Sequence, residues 1–221
     1  EWKEGALLAI PLNAWHQVFN SSADKPCRIF FGTNMSQVMN LYHNLDFVFN
    51  NPFVFRERYS YASDGEYREK AKHWTRRLFE TNFIADIKNF SLDTWEERGT
   101  RTSIMRLYMG NSGSQIHILE VGEGTYVTAH RHGAGAHVIQ IDGSGYELLF
   151  MPGGEVNAEQ RRKVPIQPYG VVAPRMNEFH QHFNTGNGRF RQLAFKGWDQ
   201  RLSTTTSRGD YDPVGAARGI L

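Results

Sequence analysis

From Thr102 onward the apolar residues recur in short, largely alternating runs, and glycine-rich turns separate many of them. Runs at Ser103 to Met109, Gln115 to Val121, Tyr126 to His130, His137 to Ile141, Tyr146 to Met151, Val171 to Ala173, Glu178 to Phe183 and Phe190 to Lys196 predict strands. The turns are Gly110-Asn-Ser-Gly113, Gly122-Glu-Gly124, Gly133-Ala-Gly135, Gly143-Ser-Gly145 and Gly153-Gly154. Many short strands at regular spacing predict an all-β sandwich or barrel, closest here to a double-sheet jelly roll.

The earlier part of the chain has a different rhythm. Ser36 to Phe49 and Glu66 to Ile87 carry apolar residues at helical spacing, the second with Tyr67, Ala71, Trp74, Leu78 and Phe79 on one face. These predict α-helices that link and brace barrels. Residues 6 to 20 read as strand. The string His16-Gln-Val-Phe-Asn20 returns as His180-Gln-His-Phe-Asn184, and each copy is followed by a polar turn and a strand, Arg28-Ile-Phe-Phe-Gly32 and Arg191-Gln-Leu-Ala-Phe-Lys-Gly197. An internal repeat of this sort implies two copies of one domain, the first represented only by its trailing part.

Composition narrows the classes. With 25 basic and 23 acidic residues the 221-residue chain has a formal charge of +2 and no long single-sign block, so no nucleic-acid or lipid footprint is expected. Cys27 is the only cysteine, which excludes an intrachain disulfide framework and thiolate metal clusters. No run approaches the roughly 20 apolar residues of a membrane span, and the first residues lack the order of a signal peptide. A cytoplasmic setting is the expectation. The absence of an initiator methionine suggests that the chain begins inside a domain.

Five of the nine histidines fall between residues 130 and 182: His130, His132, His137, His180 and His182. Residues two apart on a strand share a face, so His130 with His132, and His180 with His182, are ready-made pairs of adjacent imidazoles. On the His137 strand, positions 137, 139 and 141 are the more apolar set, which carries His137 inward on this reading. Imidazole donors suit iron, zinc, copper or nickel, whereas calcium and magnesium prefer oxygen. His182 is open to a second role, contacting substrate or orienting a ligand. His43, His73 and His117 are expected to be structural.

Gly124-Thr-Tyr-Val-Thr-Ala-His130-Arg-His132, followed by a glycine turn, resembles the first cupin motif, and Pro174, His180 and Asn184 resemble the second. Pro11, His16 and Asn20 resemble a second motif from a preceding barrel, so the chain resembles the trailing portion of a bicupin. The resemblance implies a cupin double-stranded β-helix over residues 101–198, the end of a first barrel over 1–34, a helical linker over 35–100 and a tail over 199–221. It also implies a metal held by His130, His132 and His180. Where many cupins have a glutamate ligand this chain departs: Ala136 or His137 stands there, giving a three- or four-histidine site.

A carboxylate-poor site is similar to those of the gentisate and salicylate ring-cleaving dioxygenases. The resemblance therefore implies an Fe(II) dioxygenase acting on a small aromatic or chelating organic acid, with manganese, nickel, zinc or copper as other candidate ions. A non-catalytic binding cupin and a non-oxidative lyase, decarboxylase or isomerase are the alternatives. Tyr126, Glu178 and His182 are the candidate catalytic residues, Thr128 and Gln140 further pocket candidates, and Arg175, Arg189 and Arg191 candidate carboxylate clamps. Arg131, on the opposite face from the ligands, is a poor clamp. A homo-oligomer is expected.

Overall fold

The computed structural model describes residues 2–110, 115–132, 136–196 and 209–210. The predicted turn at 133–135, most of that at 110–113 and most of the tail at 199–221 lie outside them. The first strands, β1 (Leu7–Leu8), β2 (Ala71–Thr75), β3 (Leu78–Thr81), β4 (Phe83–Ile84) and β5 (Asp93–Thr94), precede the barrel proper. The barrel follows with β6 (Thr102–Tyr108), β7 (Gln115–Val121), β8 (His130–Arg131), β9 (His137–Asp142) and β10 (Gly145–Phe150). It closes with β11 (Arg162–Ile166), β12 (Val171–Val172), β13 (Phe179–Asn184) and β14 (Phe190–Lys196), and β15 (Gly209–Asp210) pairs against β8.

Apart from β1 and β4, which pair with each other, these strands form two sheets facing each other. One runs β11-β10-β13-β8-β15, and the other runs β12-β9-β14-β7-β6-β3-β2 with β5 also on β6. The pairing is antiparallel except where β3 meets β6. This is the double-stranded β-helix that the alternating runs predict.

Strand alternation divides the second sheet into two faces. Ile104, Leu119, Val121 and Phe190 point into the barrel, where they pack with Leu149, Ile166 and Val172. The intervening residues Met105, Leu107, Ile118, Ile139, Ile141 and Leu193 form a separate apolar layer outside the barrel, covered by Leu7, Ala9, Ile84, Ile87 and Phe90. Because both faces are apolar, polarity along a strand does not reveal which one faces the barrel interior.

The helix expected over Glu66 to Ile87 is not formed. Only Asp64–Arg68 is α-helical, and the chain then makes the β2–β3 hairpin. Residues 71, 74 and 78 fit a helical face, yet the sequence also alternates on either side of the Arg76-Arg77 turn. The tertiary context decides: β3 pairs with β6, and Glu80 ties the hairpin by accepting from Trp74 Nε1 (2.7 Å) and pairing with Lys70 (2.7 Å). The other predicted helix splits into α1 (Met35–Tyr42) and α2 (Leu45–Phe49), since His43 takes a left-handed conformation and Asn44 caps α2 at the Phe47 amide.

The strand expected over residues 6–20 shrinks to Leu7–Leu8. In the second copy, β13 is paired on one side by β10 and on the other by β8. Among the described residues no strand pairs with residues 9–34, and no described residue before Glu80 is buried. His16 and Asn20 are exposed where their counterparts His180 and Asn184 are buried. Among the described residues no helix is long and apolar enough to cross a membrane.

Candidate metal centre

The site is built on the first sheet, on the face turned toward the barrel interior. His130 on β8 is paired in register with His180 on β13, and His132 follows two residues after His130. The ring centroids lie 4.1 Å apart for His130 and His180, 5.0 Å for His132 and His180, and 5.9 Å for His130 and His132. One nitrogen from each of the three falls within 4.8 Å of the others.

Two local contacts fix the ring orientation. Nδ1–H of His130 donates to the Thr128 carbonyl and Nδ1–H of His180 to the Glu178 carbonyl, each at 3.3 Å and each two residues back along the chain. That tautomer leaves Nε2 as the free lone pair on both rings. Burial pushes the pKa of both imidazoles well below the ordinary 6.5, and the crowding of ionisable rings, His180 beside His130 and His182 beside His180, pushes further in the same direction. The rings are therefore neutral donors at neutral pH, and this donor set fits a divalent transition ion of the iron, zinc, copper or nickel type.

His182 lies beside the cluster, its ring 5.6 Å from His180 and 5.7 Å from His130, and its Nδ1–H donates to Glu147 (2.8 Å). Glu147 sits opposite His182 on β10, buried, and also accepts from Gln192 Nε2 at 2.6 Å. Gln192 donates in addition to Gln140 (3.0 Å), which donates to the Asp142 carbonyl (2.6 Å). A buried chain of side-chain hydrogen bonds thus runs across both sheets and holds one orientation of His182.

The remaining predicted site residues are placed elsewhere. His137 is exposed, on the outer face of β9 that it shares with Ile139 and Ile141 of the outer apolar layer. Tyr126 stacks on Phe183 (5.4 Å), away from the cavity, and the expected strand from 126 to 130 is interrupted. The interruption has a cause: Tyr126 bridges to Phe183 whereas His130 pairs with His180, positions of opposite parity on β13, so 126 and 130 do not share a face, and the Thr128 amide between them donates to the Arg98 carbonyl. Gly99 allows this close approach, since a Cβ there would lie 2.2 Å from the Tyr126 carbonyl oxygen. Glu178 is buried but accepts from the Arg175 amide (2.9 Å) and faces Arg162 (3.6 Å), an arrangement that shapes the turn before β13. Arg189 pairs with Asp142 and Arg191 with Glu120, both on the outer side, and Arg175 is exposed. Arg131 lies over the Phe179 ring (5.0 Å).

A cavity of about 50 Å³ adjoins the cluster, with His130, His132 and His182 on one wall. The opposite wall carries Arg106, His117 and Lys196, with Arg98 and Trp95 at its side. None of these five was singled out for the site from the sequence. His117 alternates with Ile116 and Ile118 as a polar break in an apolar strand, and Lys196 ends β14 in the same way. Those breaks were the available signal.

No protein-family model matches the chain, and no curated protein does. Solved structures similar to it include a cupin-2 domain from Rhodospirillum rubrum, with 19% identity and TM-score 0.39 over 48% of this chain and 66% of that one. A cupin-like protein of Thermotoga maritima has 14% identity and TM-score 0.43 over 56% and 88%. A protein of the same organism described as a predicted oxalate decarboxylase has 19% identity and TM-score 0.39 over 49% and 92%. By its own strand pairing the chain contains a double-stranded β-helix that encloses a three-histidine cluster.

Proposed function

We propose that this chain is a metal-dependent enzyme, an Fe(II) dioxygenase acting on a small chelating organic acid. The observation that carries the reading is the cross-strand pairing of His130 with His180, which together with His132 brings three imidazole donors within 4.8 Å beside a polar cavity. Three neutral ligands leave coordination positions open and the charge of the ion uncompensated, which favours an anionic chelator. When bound, such an ion supplies Lewis acidity and, as iron, the electrons for oxygen activation.

The protein's own residues account for the rest. The carbonyls of Thr128 and Glu178 hold His130 and His180 in the ligating tautomer. His182 lines the cavity, and with its Nδ1–H on Glu147 its Nε2 can take a proton from substrate and return it, the Glu147 carboxylate stabilising the imidazolium. That same couple favours a second reading, a non-oxidative lyase, decarboxylase or isomerase using manganese, nickel or zinc, because it provides proton transfer without oxygen.

The test is elemental analysis of the purified chain and of its His130→Ala and His180→Ala variants, followed by oxygen uptake of the iron-loaded protein with chelating organic acids. One iron per chain, lost in both variants, with substrate-dependent oxygen consumption is the expected result. Anaerobic turnover would select the second reading. A wild-type chain that takes up no transition metal would overturn both.

A further inference from the structure

His117 faces the imidazoles of the metal site from the opposite sheet. Strand alternation puts it there: Leu119 and Val121 of β7 point into the barrel, whereas Ile116 and Ile118 pack in the outer apolar layer. Its register partners are Arg106 on β6 and Ala194 on β14. Ala194 ends at Cβ, so no longer side chain crowds the imidazole from β14. The ring lines the same cavity of about 50 Å³ that His130, His132 and His182 line from the other sheet.

A histidine set into an apolar strand needs an outlet for its polar atoms. His130, His180 and His182 each have one, since Nδ1–H of each donates to a carbonyl or a carboxylate. Among the described residues His117 makes no hydrogen bond and no ion pair. Burial holds its pKa well below 6.5, and Lys196 and Arg106 lower it further, so the ring is neutral and carries one N–H donor and one acceptor lone pair. No protein group fixes which nitrogen holds the proton. A hydroxyl in the cavity matches either tautomer, because it both donates and accepts, whereas a methyl group matches neither. Leaving a polar pair of this kind unmatched beside a buried ligand is unfavourable, and that is how such a position discriminates between ligands.

Size limits what can enter. A cavity of about 50 Å³ is roughly a third of the ~150 Å³ that accommodates a benzene ring. A short aliphatic chain fits between the two walls, and an aromatic acid does not without repacking.

We propose that His117 is the recognition residue of this site, hydrogen-bonding the terminal hydroxyl of a short aliphatic hydroxy acid whose carboxylate end is held at the three-histidine cluster. The inference rests on the metal reading for the carboxylate end. The hydroxyl end follows from strand register and from the unused polar atoms of His117.

The test loads the full chain with cobalt(II) and follows the visible absorption of the ion while 3-hydroxypropionate or butyrate is added. The two acids have the same number of heavy atoms and differ in a hydroxyl against a methyl group. Wild type is expected to bind 3-hydroxypropionate at least about tenfold more tightly, the contribution of about one buried hydrogen bond. His117→Leu is expected to abolish the preference with cobalt stoichiometry unchanged, and His117→Gln, which keeps a donor and an acceptor, to retain several-fold of it. Circular dichroism checks that both variants are folded. Equal affinity of the wild type for the two acids means that the imidazole meets only water, and would overturn the inference whether or not the variants fold. A preference that persists undiminished in folded His117→Leu would overturn it too, and in both cases bound cobalt leaves the metal reading intact. A wild-type chain that takes up no cobalt would instead overturn the metal reading itself.

Discussion

Acidification is expected to destabilise the metal-free protein steeply below pH 6.5. His117, His130 and His180 are held well below that ordinary value, in each case first by burial and then by neighbouring positive charge. In the unfolded chain each imidazole returns to its ordinary value, so below pH 6.5 the unfolded state binds more protons than the folded one. Stability is therefore fully present above pH 6.5 and falls as pH drops through it. One withheld proton is worth at most about 1.4 kcal/mol per pH unit, so three give a loss of up to about 4 kcal/mol by one unit below 6.5. Against a typical domain stability of about 5–15 kcal/mol that is a large fraction. Asp142 and Glu80, whose carboxyls are held below the usual range, stay charged across this window and report only at lower pH. The assay is urea unfolding followed by circular dichroism in chelator at about pH 7.5, 6.5 and 5.5. His117→Gln is expected to remove about a third of the slope, and excess divalent metal at neutral pH to raise the midpoint by mass action. Equal stability at the two extremes of pH would refute the reasoning.

Three further outcomes follow from the packing. His137→Ala leaves metal content at the wild-type level in elemental analysis, because His137 faces outward, whereas His180→Ala removes the metal. Phe190→Ala empties the most enclosed aromatic position between the sheets, at 0% exposure, and costs about 3–5 kcal/mol in urea unfolding. Gly145→Ala places a Cβ 2.0 Å from the Phe183 carbonyl oxygen and 2.9 Å from the Phe190 ring, both fixed by the β10–β13 pairing and the core. It is expected to lower the thermal midpoint by the equivalent of about 1–3 kcal/mol or more.

Much of the barrel was legible because its strands alternate and its turns are glycine-rich: β7 and β14 have the bounds their sequence pattern predicts. The strand β11 was missed for a physical reason. Arg162-Lys-Val-Pro-Ile166 is a charged edge strand containing proline, and edge positions tolerate both. The first repeat misled in the opposite way. Its string matches β13, but a strand is stabilised by its neighbours, and residues 9–34 have no strand partner among the described residues. The face that His137 occupies was misread because the outer apolar layer makes Ile139 and Ile141 look like barrel interior.

The two halves of the site differ in legibility because they differ in how the chain encodes them. Imidazole pairs announce themselves: His130 with His132, and His180 with His182, lie two apart on strands, and one strand pairing joins them. The cationic wall has no such signature, since Arg98, Arg106, His117 and Lys196 are spread over 99 positions of sequence, 196 minus 98 plus one, and meet only when β6, β7 and β14 align. Each alone reads as a surface charge or a structural histidine. What marks them in the folded chain is their shared lining of one cavity, which only the alignment of the strands creates. One sheet thus contributes the imidazoles and the other the fixed positive charge. The small cavity between them is lined from both sides.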